Sequence, residues 1–176
     1  MLIDQLKDPK TREASFRRLI SLHKERLYWH IRKIVLNHDD ADDVLQNTFI
    51  KVFKHIEGFK GDSKIYSWMY RIATNESISF LNKKAKQLQT DIQNVQELAV
   101  QNLEADVYFD GDGIQMKLQR AIVSLPQKQQ LVFNMRYFDE MKYEDMSDIL
   151  DTSVGALKAS YHHARKKIER FLINEQ

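Results

Sequence analysis

Apolar residues in the first half of the chain recur at spacings of three and four, which is the pattern of amphipathic helices. Residues 12–36 and 41–55 show it clearly, with charged residues between the apolar ones. Residues 59–86 form a third such segment, whose first stripe is Ile65, Trp68, Met69 and Ile72. A second stripe, spaced by seven, four and seven residues, is Lys64, Arg71, Asn75 and Asn82. We predict that the first stripe is buried and that the second faces solvent.

The last third of the chain also predicts short helices, at residues 116–124, 127–138, 143–150 and 154–173. Leu125-Pro126 separates the first two, and Asp151-Thr152-Ser153 supplies a turn and a cap before the last. The outer face of that last helix is basic, whereas the helix before it is acidic. Two helices joined by a short turn, with a basic second helix, are typical of a helix-turn-helix that binds DNA.

Residues 87–113 lack this periodicity and are rich in Gln, Asn and acids, so they predict a linker with one weak helix around residues 95–103. The predicted fold class is therefore all-α. Two small helical domains, residues 1–86 and 114–176, are joined by an acidic flexible linker. A calcium loop in the linker is not supported, because twelve-residue templates starting at Asp106 or Asp110 end on Lys117 or Ala121.

The distribution of charge adds to this picture more than the net value of +2 does. Residues 1–85 carry 16 Lys and Arg against 11 Asp and Glu, residues 86–113 carry one against six, and residues 114–176 carry ten against eight. The absence of cysteine excludes disulfides and thiolate metal sites. The sequence shows no signal peptide or membrane span, and no nucleotide-binding loop, zinc spacing or catalytic triad. We therefore expect a cytoplasmic protein without a cofactor and without enzymatic activity.

The exposed stripe of residues 59–86 leaves two interpretations open. Lysines, amides and nearby aromatic rings suit single-stranded nucleic acid, whose bases stack and whose phosphates attract cations. The same composition also occurs in ordinary amphipathic helices with a solvated face. Helical phase assigns Trp68 to the core, while Tyr66 and Tyr70 lie off the apolar stripe and stay open as stacking residues.

Two groups of motifs together resemble the sigma-70 family. Residues 40–49 (DADDVLQNTF), 59–63 (FKGDS) and 68–75 (WMYRIATN) resemble its region 2. Leu125-Pro126 and residues 143–146 (YEDM), 154–158 (VGALK) and 164–167 (ARKK) resemble its region 4. Nothing resembles regions 1.1 or 3, a layout similar to that of extracytoplasmic-function (ECF) sigma factors.

This resemblance implies a subunit of RNA polymerase holoenzyme that recognises a duplex −35 element, reads a single-stranded −10 element and promotes strand opening. The implied partners are core RNA polymerase, promoter DNA and an anti-sigma factor that in many members holds the sigma factor at the inner membrane of the bacterial cell. In the family, the segment between the two regions threads toward the active-site cleft and the RNA exit channel, which a net charge of −5 would suit.

The resemblance also assigns site residues by position. The implied core-polymerase-binding residues are Asp42, Asp43, Gln46, Asn47 and Ile50. The implied −10 residues are Phe59, Lys60, Ser63, Lys64, Tyr66, Arg71, Asn75 and Asn82, with Asn75 as the amide of the base pocket. The implied −35 residues are Arg136, Tyr143, Glu144, Lys158, Ala159, His162, His163 and Lys166. The chain departs from the family at Asn47, often Glu, and at Ala159-Ser160, where a frequent arginine is missing.

Two other functions remain open from the sequence. A free-standing helix-turn-helix regulator would bind duplex DNA without polymerase, and a helical enzyme or interaction module would carry the motifs by chance. The segment of residues 40–75 separates these possibilities, because a free-standing regulator has no use for it. The adjacent His162 and His163 do not predict a metal site, since they point about 100° apart on a helix and no third ligand lies near them in the sequence.

Overall fold

The computed structural model of the chain describes residues 2–106 and 111–175, and these residues are helical with no β-strand among them, so the all-α prediction is confirmed. The α-helices are α1 (Leu2–Lys7), α2 (Arg12–Val35), α3 (His38–His55), α4 (Ile65–Gln87), α5 (Ile92–Gln101), α6 (Gly113–Val123), α7 (Gln127–Phe133), α8 (Tyr143–Leu150) and α9 (Val154–Asn174). Short 3-10 turns follow α3 (Ile56–Gly58) and α5 (Leu103–Ala105), and a π-helical turn (Asn134–Phe138) extends α7.

Polar side chains cap the starts of several helices. Asn37 accepts a hydrogen bond from the backbone N–H of Asp40 at 2.9 Å at the start of α3. Leu36, just before it, ends α2 in the left-handed conformation with a φ of 67°. Asp91, Asp112 and Ser153 cap α5, α6 and α9 in the same way as Asn37. Each cap satisfies a backbone N–H group that has no partner within the helix.

Helices α1–α4, here called the N-terminal bundle, pack around a shared apolar core. Helix α2 lies against α3 and α4, and α3 lies against α4. The buried residues of this core include Leu19, Leu27, Ile31, Val44, Val52 and Leu81. A seam of apolar residues on each helix thus covers the seams of the other two, as the periodicity predicts.

The buried side of α4 is rotated from the stripe that the sequence predicts. Met69 is fully buried, but Ile65, Trp68 and Ile72 are only partly buried. Tyr70 is 1% exposed, and its hydroxyl donates to the backbone carbonyl of Arg26 at 3.2 Å. Small residues let α2 and α3 approach this side closely, and they are Ala73, Thr74, Ser77 and Ala85. Tyr70 is therefore a core residue and does not stack on nucleic acid in this conformation.

Helices α6–α9, here called the C-terminal bundle, surround a second cluster made of Ala121, Ile122, Leu125, Phe133, Ala164 and Ile168. Helix α9 packs against α6, α7 and α8. The ring of Phe133 stacks between those of Tyr137 and Tyr161, with centroids 5.0 and 6.0 Å away. These ring contacts join α7 and the turn after it to α9. Helices α8 and α9 pack against each other across the short turn of residues 151–153, which is the arrangement of a helix-turn-helix.

The acidic segment between the bundles is more ordered than its composition indicates. Helix α5 packs between α4 and α6 and buries Val95 and Val100. The side-chain amide of Gln96 donates to the backbone carbonyl of Ile34 at 3.1 Å, and Arg32 pairs with Asp106 at 2.6 Å. The weak helix expected around residues 95–103 is thus a packed helix. Residues 107–110 of the predicted linker, including one of the calcium-loop starts, lie outside the described residues.

The two bundles share one apolar core across α4. Helix α8 lies against α4, and Met146, Ile149 and Leu157 belong to the same buried cluster as Met69 and Tyr70. Within the described residues, no helix is both long and apolar enough to cross a membrane.

Candidate nucleic-acid interface

The outer face of α3 carries the residues that the sequence assigns to docking on polymerase. Asp42, Asp43, Gln46, Asn47 and Ile50 are all exposed, because α3 buries the opposite side against α2 and α4. Ile50 is 47% exposed among polar neighbours. Such a face, apolar at one point and polar around it, is chemically suited to a protein contact.

A groove separates this face from the C-terminal part of α4. Asp43, Gln46 and Asn47 form one wall, and Phe80, Lys83 and Gln87 form the other. The Lys84 ammonium crosses the groove to Asp40 at 2.7 Å. The α3 face is therefore continuous with a basic and aromatic part of α4, so one partner could contact both.

The predicted outward stripe of α4 does face solvent. Lys64, Arg71, Asn75 and Asn82 are all exposed, and Lys60 is exposed in the loop before the helix. Asn75 lies about midway along α4, where its amide can both donate to and accept from a base edge. Arg71 and Lys60 supply positive charge along the same side.

Phe59, in contrast, does not belong to an exposed reading surface, and its assignment as a −10 residue is corrected here. Its side chain is 4% exposed and its ring packs on that of Trp68, with centroids 5.1 Å apart. The Lys7 ammonium donates to its backbone carbonyl at 2.7 Å. Phe59 therefore anchors the loop that carries Lys60 and Ser63, because its ring fills the core beneath that loop.

Lys64 and Tyr66, two other −10 candidates, contact the C-terminal bundle. The Tyr66 hydroxyl donates to Asp145 Oδ2 at 2.9 Å, and the Lys64 ammonium donates to Asp145 Oδ1 at 3.1 Å. Burial, followed by the hydrogen bond to Asp145 and the charge of that carboxylate, raises the pKa of Tyr66 to about 12. Tyr66 is thus held as a neutral donor and not as a free stacking ring.

A second polar contact joins the bundles nearby and was not predicted. Asp139, in the turn before α8, pairs with Lys33 of α2, and its Oδ2 atom lies 3.9 Å from Nδ1 of the buried His30. His30 Nε2 is 2.7 Å from the Thr74 hydroxyl, which donates its own hydrogen to the Tyr70 carbonyl, so Nε2 carries the proton. Burial lowers the pKa of His30 to about 3. His30 is therefore neutral near pH 7, and it forms no ion pair with Asp139.

The outer face of α9 is open to solvent along its N-terminal half. Lys158, Ala159, His162, His163 and Lys166 are exposed. The Tyr143 ring supports this face from α8, since the Arg136 guanidinium lies 4.7 Å and the Lys158 ammonium 5.8 Å from its centroid. Glu144 is exposed in the first turn of α8. In the part of the chain that the structure describes, no cluster of His, Asp or Glu could hold a metal ion.

Comparison with known families matches two separate parts of the chain. The model of sigma-70 region 2 matches residues 19–87, and the model of sigma-70 region 4 matches residues 115–168, which together are more than two thirds of the chain. The chain belongs to the sigma-70 family.

Its relatives are of the ECF type. The chain is 27% identical to the ECF RNA polymerase sigma factor SigW of Bacillus subtilis, over 91% of this chain and 90% of that protein. It is also 27% identical to the ECF RNA polymerase sigma-E factor of Haemophilus influenzae, over 89% of this chain and 87% of the relative. Two similar relatives of nearly the same length place the chain among ECF sigma factors.

Solved structures share the fold. CnrH, in complex with the cytosolic domain of CnrY, superposes with a TM-score of 0.72 at 19% identity, covering 99% of this chain and 97% of CnrH. The sigma factor RpoE of Bartonella quintana, in complex with the anti-sigma factor NepR, superposes with a TM-score of 0.67 at 20% identity, covering 92% and 98%.

Phe59 and Ile50 provide a direct test of which side chains support the structure. Phe59→Ala should lower the free energy of unfolding by about 3–5 kcal/mol, because it leaves a cavity beside Trp68. Ile50→Ala should lower it by less than about 1 kcal/mol, because that side chain is half exposed. Urea denaturation followed by circular dichroism measures both values. Equal losses for the two variants would contradict the assignment of Phe59 to the core.

Proposed function

We propose that this chain directs RNA polymerase to a promoter, and that it does so through three exposed faces carried by two bundles. The observation that carries the proposal is the joint presence, in one chain, of an exposed polar face on α3, an exposed cation-and-amide stripe on α4 and an exposed basic face on α9. A free-standing helix-turn-helix regulator needs only the third face. The chain supplies binding and orientation and carries out no chemical step of its own.

Core polymerase docks, in this proposal, on the exposed face of α3. Asp43, Gln46 and Asn47 offer hydrogen-bonding groups on two successive turns, and Ile50 adds apolar area at one end of the face. The Asp42 carboxylate already has a neighbour within the chain, since His38 Nε2 lies 3.3 Å from it. We therefore assign Asp42 to the edge of the contact, Asp43, Gln46 and Asn47 to its centre, and Ile50 to its apolar end.

The −10 element is read by the exposed stripe of α4 and the loop before it. Asn75 hydrogen-bonds the edge of an unstacked base, while Lys60, Arg71 and Asn82 hold the backbone of the same strand. Lys64, the first residue of this stripe, and Ser63 lie at the start of the helix. The stripe is held rigidly because the opposite side of α4 is buried through Tyr70 and Ala73.

The −35 element is read by α9 in the major groove. Lys158, His162, His163 and Lys166 lie on the face that a helix-turn-helix presents to DNA, and Ala159 leaves room for a close approach to base edges. Arg136 and Glu144 border this face. Cationic side chains on a helix in the major groove contact phosphates, which contributes affinity, and guanine edges, which contributes specificity.

The proposed partners beyond DNA are core RNA polymerase and an anti-sigma factor. Structures similar to this fold were solved with such an inhibitor or with a cytosolic domain bound. We place the chain in the bacterial cytoplasm, where RNA polymerase works, with retention at the inner membrane if its anti-sigma factor spans that membrane.

We divide the chain into three functional parts, residues 1–86, 87–113 and 114–176, with α5 and its flanks as the connector.

The proposed function is tested by transcription in vitro with purified components. Core RNA polymerase plus this chain should give runoff transcripts from a subset of a promoter library, while core alone gives none. Tight binding of the free chain to a defined duplex, together with no effect on core polymerase, would support a free-standing regulator and contradict this proposal.

The docking face is tested by the double variant Asp43→Ala and Gln46→Ala. Loss of two central contacts should weaken affinity for core polymerase by about tenfold or more, equivalent to about 1.4 kcal/mol. A matched control is Gln5→Ala with Glu13→Ala, which removes an exposed amide and an exposed carboxylate from α1 and α2. Fluorescence anisotropy measures both affinities, and equal affinity for the two double variants would exclude α3 as the docking face.

The base-reading role of Asn75 is tested by Asn75→Ala against Ser79→Ala, an exposed control one turn further along α4. Asn75→Ala should reduce discrimination between −10 variants by about tenfold, because a base-edge contact contributes about 1–3 kcal/mol. Its affinity for core polymerase should not change. Permanganate footprinting of open complexes on promoters that differ at single −10 positions measures the effect. Unchanged promoter preference would remove Asn75 from the reading surface.

A further inference from the structure

The loop before α4 has little support of its own. Residues 60–64, all within the described part of the chain, form neither helix nor strand. Gly61, in the middle of the loop, has a φ of 79°, a left-handed conformation that favours glycine. The Ser63 hydroxyl reaches the backbone carbonyl of Lys64 at 3.5 Å, which is long and therefore weak for a hydrogen bond. The shape of this loop therefore depends on what holds the chain at its ends.

Two cations from the first twelve residues hold the turn that leads into this loop. The Lys7 ammonium donates to the backbone carbonyl of Phe59 at 2.7 Å. The Arg12 guanidinium donates to the backbone carbonyl of Phe53 at 2.7 Å and to the Glu57 carboxylate at 2.8 Å. The turn is thus tied to the start of the chain at both of its ends.

Both cations satisfy backbone carbonyl groups that have few other partners. Phe53 lies in the last turn of α3, where carbonyl groups have no partner within the helix. Phe59 is 4% exposed, so water does not readily replace the hydrogen bond from Lys7. Hydrogen bonds from charged donors are also stronger than those between neutral groups. The Arg12 guanidinium lies 4.5 Å above the Phe53 ring as well, which adds a cation–π contact.

Apolar packing from α1 supports the same turn. Helix α1 lies against α2 and against the 3-10 turn of residues 56–58. Leu6 is fully buried and belongs to the same apolar cluster as Ile56 and Phe59. The ring of Phe59 therefore rests on a core to which α1 contributes, while its carbonyl group is held by Lys7.

We propose that Lys7 and Arg12 are positioning residues for −10 recognition, which fix the loop of residues 60–64 without contacting a base. The loop then presents Lys60 and Ser63 to the displaced strand in one geometry. A fixed loop discriminates between bases, because a wrong base leaves polar groups unpaired, whereas a mobile loop adapts to several. This inference rests on the function proposed above, which supplies the −10 strand as the ligand.

A direct contact of Lys7 with DNA predicts a different result. Lys7 is exposed, so its ammonium could leave the Phe59 carbonyl and bind a phosphate instead. Loss of a phosphate contact weakens binding about equally for all sequences. Loss of a positioning contact lowers the preference for one −10 sequence over another, so the ratio between promoters separates the two roles.

Substitutions at Lys7 and Arg12 have matched controls in the same part of the chain. Lys7→Met removes the ammonium and keeps a long side chain, while Lys7→Arg keeps a charged donor. Lys10→Met is the control for Lys7→Met, since Lys10 is exposed and the change in charge is identical. Arg12→Met is the second variant, with the exposed Arg18→Met on α2 as its control. Circular dichroism checks that each variant keeps its helix content.

The mobility of the loop is measured in the free, full-length chain by nitrogen-15 NMR relaxation. We expect backbone order parameters of about 0.85 for residues 60–63 in the unsubstituted chain and below about 0.6 in Lys7→Met and Arg12→Met. Lys7→Arg should stay close to the unsubstituted chain, as should both controls. Unchanged order parameters in Lys7→Met and Arg12→Met, or an equal fall in Lys10→Met, would overturn the inference.

The effect on promoter choice is measured by runoff transcription with core RNA polymerase, on promoters that differ at single −10 positions. The ratio of transcripts within one variant cancels any change in affinity for core polymerase. We expect this ratio to fall about fivefold in Lys7→Met and Arg12→Met, to recover in Lys7→Arg, and to stay unchanged in the controls. An unchanged ratio, including an equal loss of transcription from all promoters, would overturn the positioning role. Absence of any transcript with the unsubstituted chain would refute the proposed function instead.

Discussion

Helix α4 packs against elements of both bundles, and the rest of the structure depends on this packing. One side is buried against α2 and α3 through Tyr70, Ala73 and Leu81. Helix α8 packs near its start, and α5 also lies against it. A helix that is held from several sides presents its remaining stripe rigidly. That rigidity suits a site that must bind an unstacked base, because a loosely held amide would lose conformational entropy on binding.

Helix α4 also connects the two faces that we propose to bind DNA. The apolar contact of Met146 and Ile149 with the core involves no charged group. The Asp145 contact, in contrast, depends on hydrogen-bond donors from α4. Asp139 and Lys33 add a second polar pair on the same seam. Polar contacts of this kind bring little net stability, and in some proteins they select one arrangement of two apolar surfaces over another.

The sequence predicts the helices well, because their periodicity is strong and their caps are standard. The α8 boundaries are those expected, and the exposed faces of α3 and α9 and the stripe through Asn75 are where the pattern indicates. Phe59 and Tyr70 were harder to place, since one aromatic ring in a loop and one off the apolar stripe look free until tertiary packing is known. The sequence does not predict how well α5 is packed, for a similar reason: its few apolar residues are buried by neighbours far away in the sequence.

The role of Asp145 could not be predicted from the sequence. In sequence it is one of several acids on α8, and only the position of α8 on α4 separates it from Asp148. The same holds for His30, whose burial beside Thr74 leaves no local signal. Contacts between distant segments depend on how the two bundles dock, and neither helical periodicity nor charge patterning carries that information.

Hydrogen–deuterium exchange of the full chain, with and without core RNA polymerase, tests the central claim most directly. That claim is that core polymerase docks on the exposed face of α3. The account predicts slower exchange in α3 when polymerase is bound, because the contact stabilises that helix against local opening. Slower exchange confined to α9, or no change in α3, would contradict it.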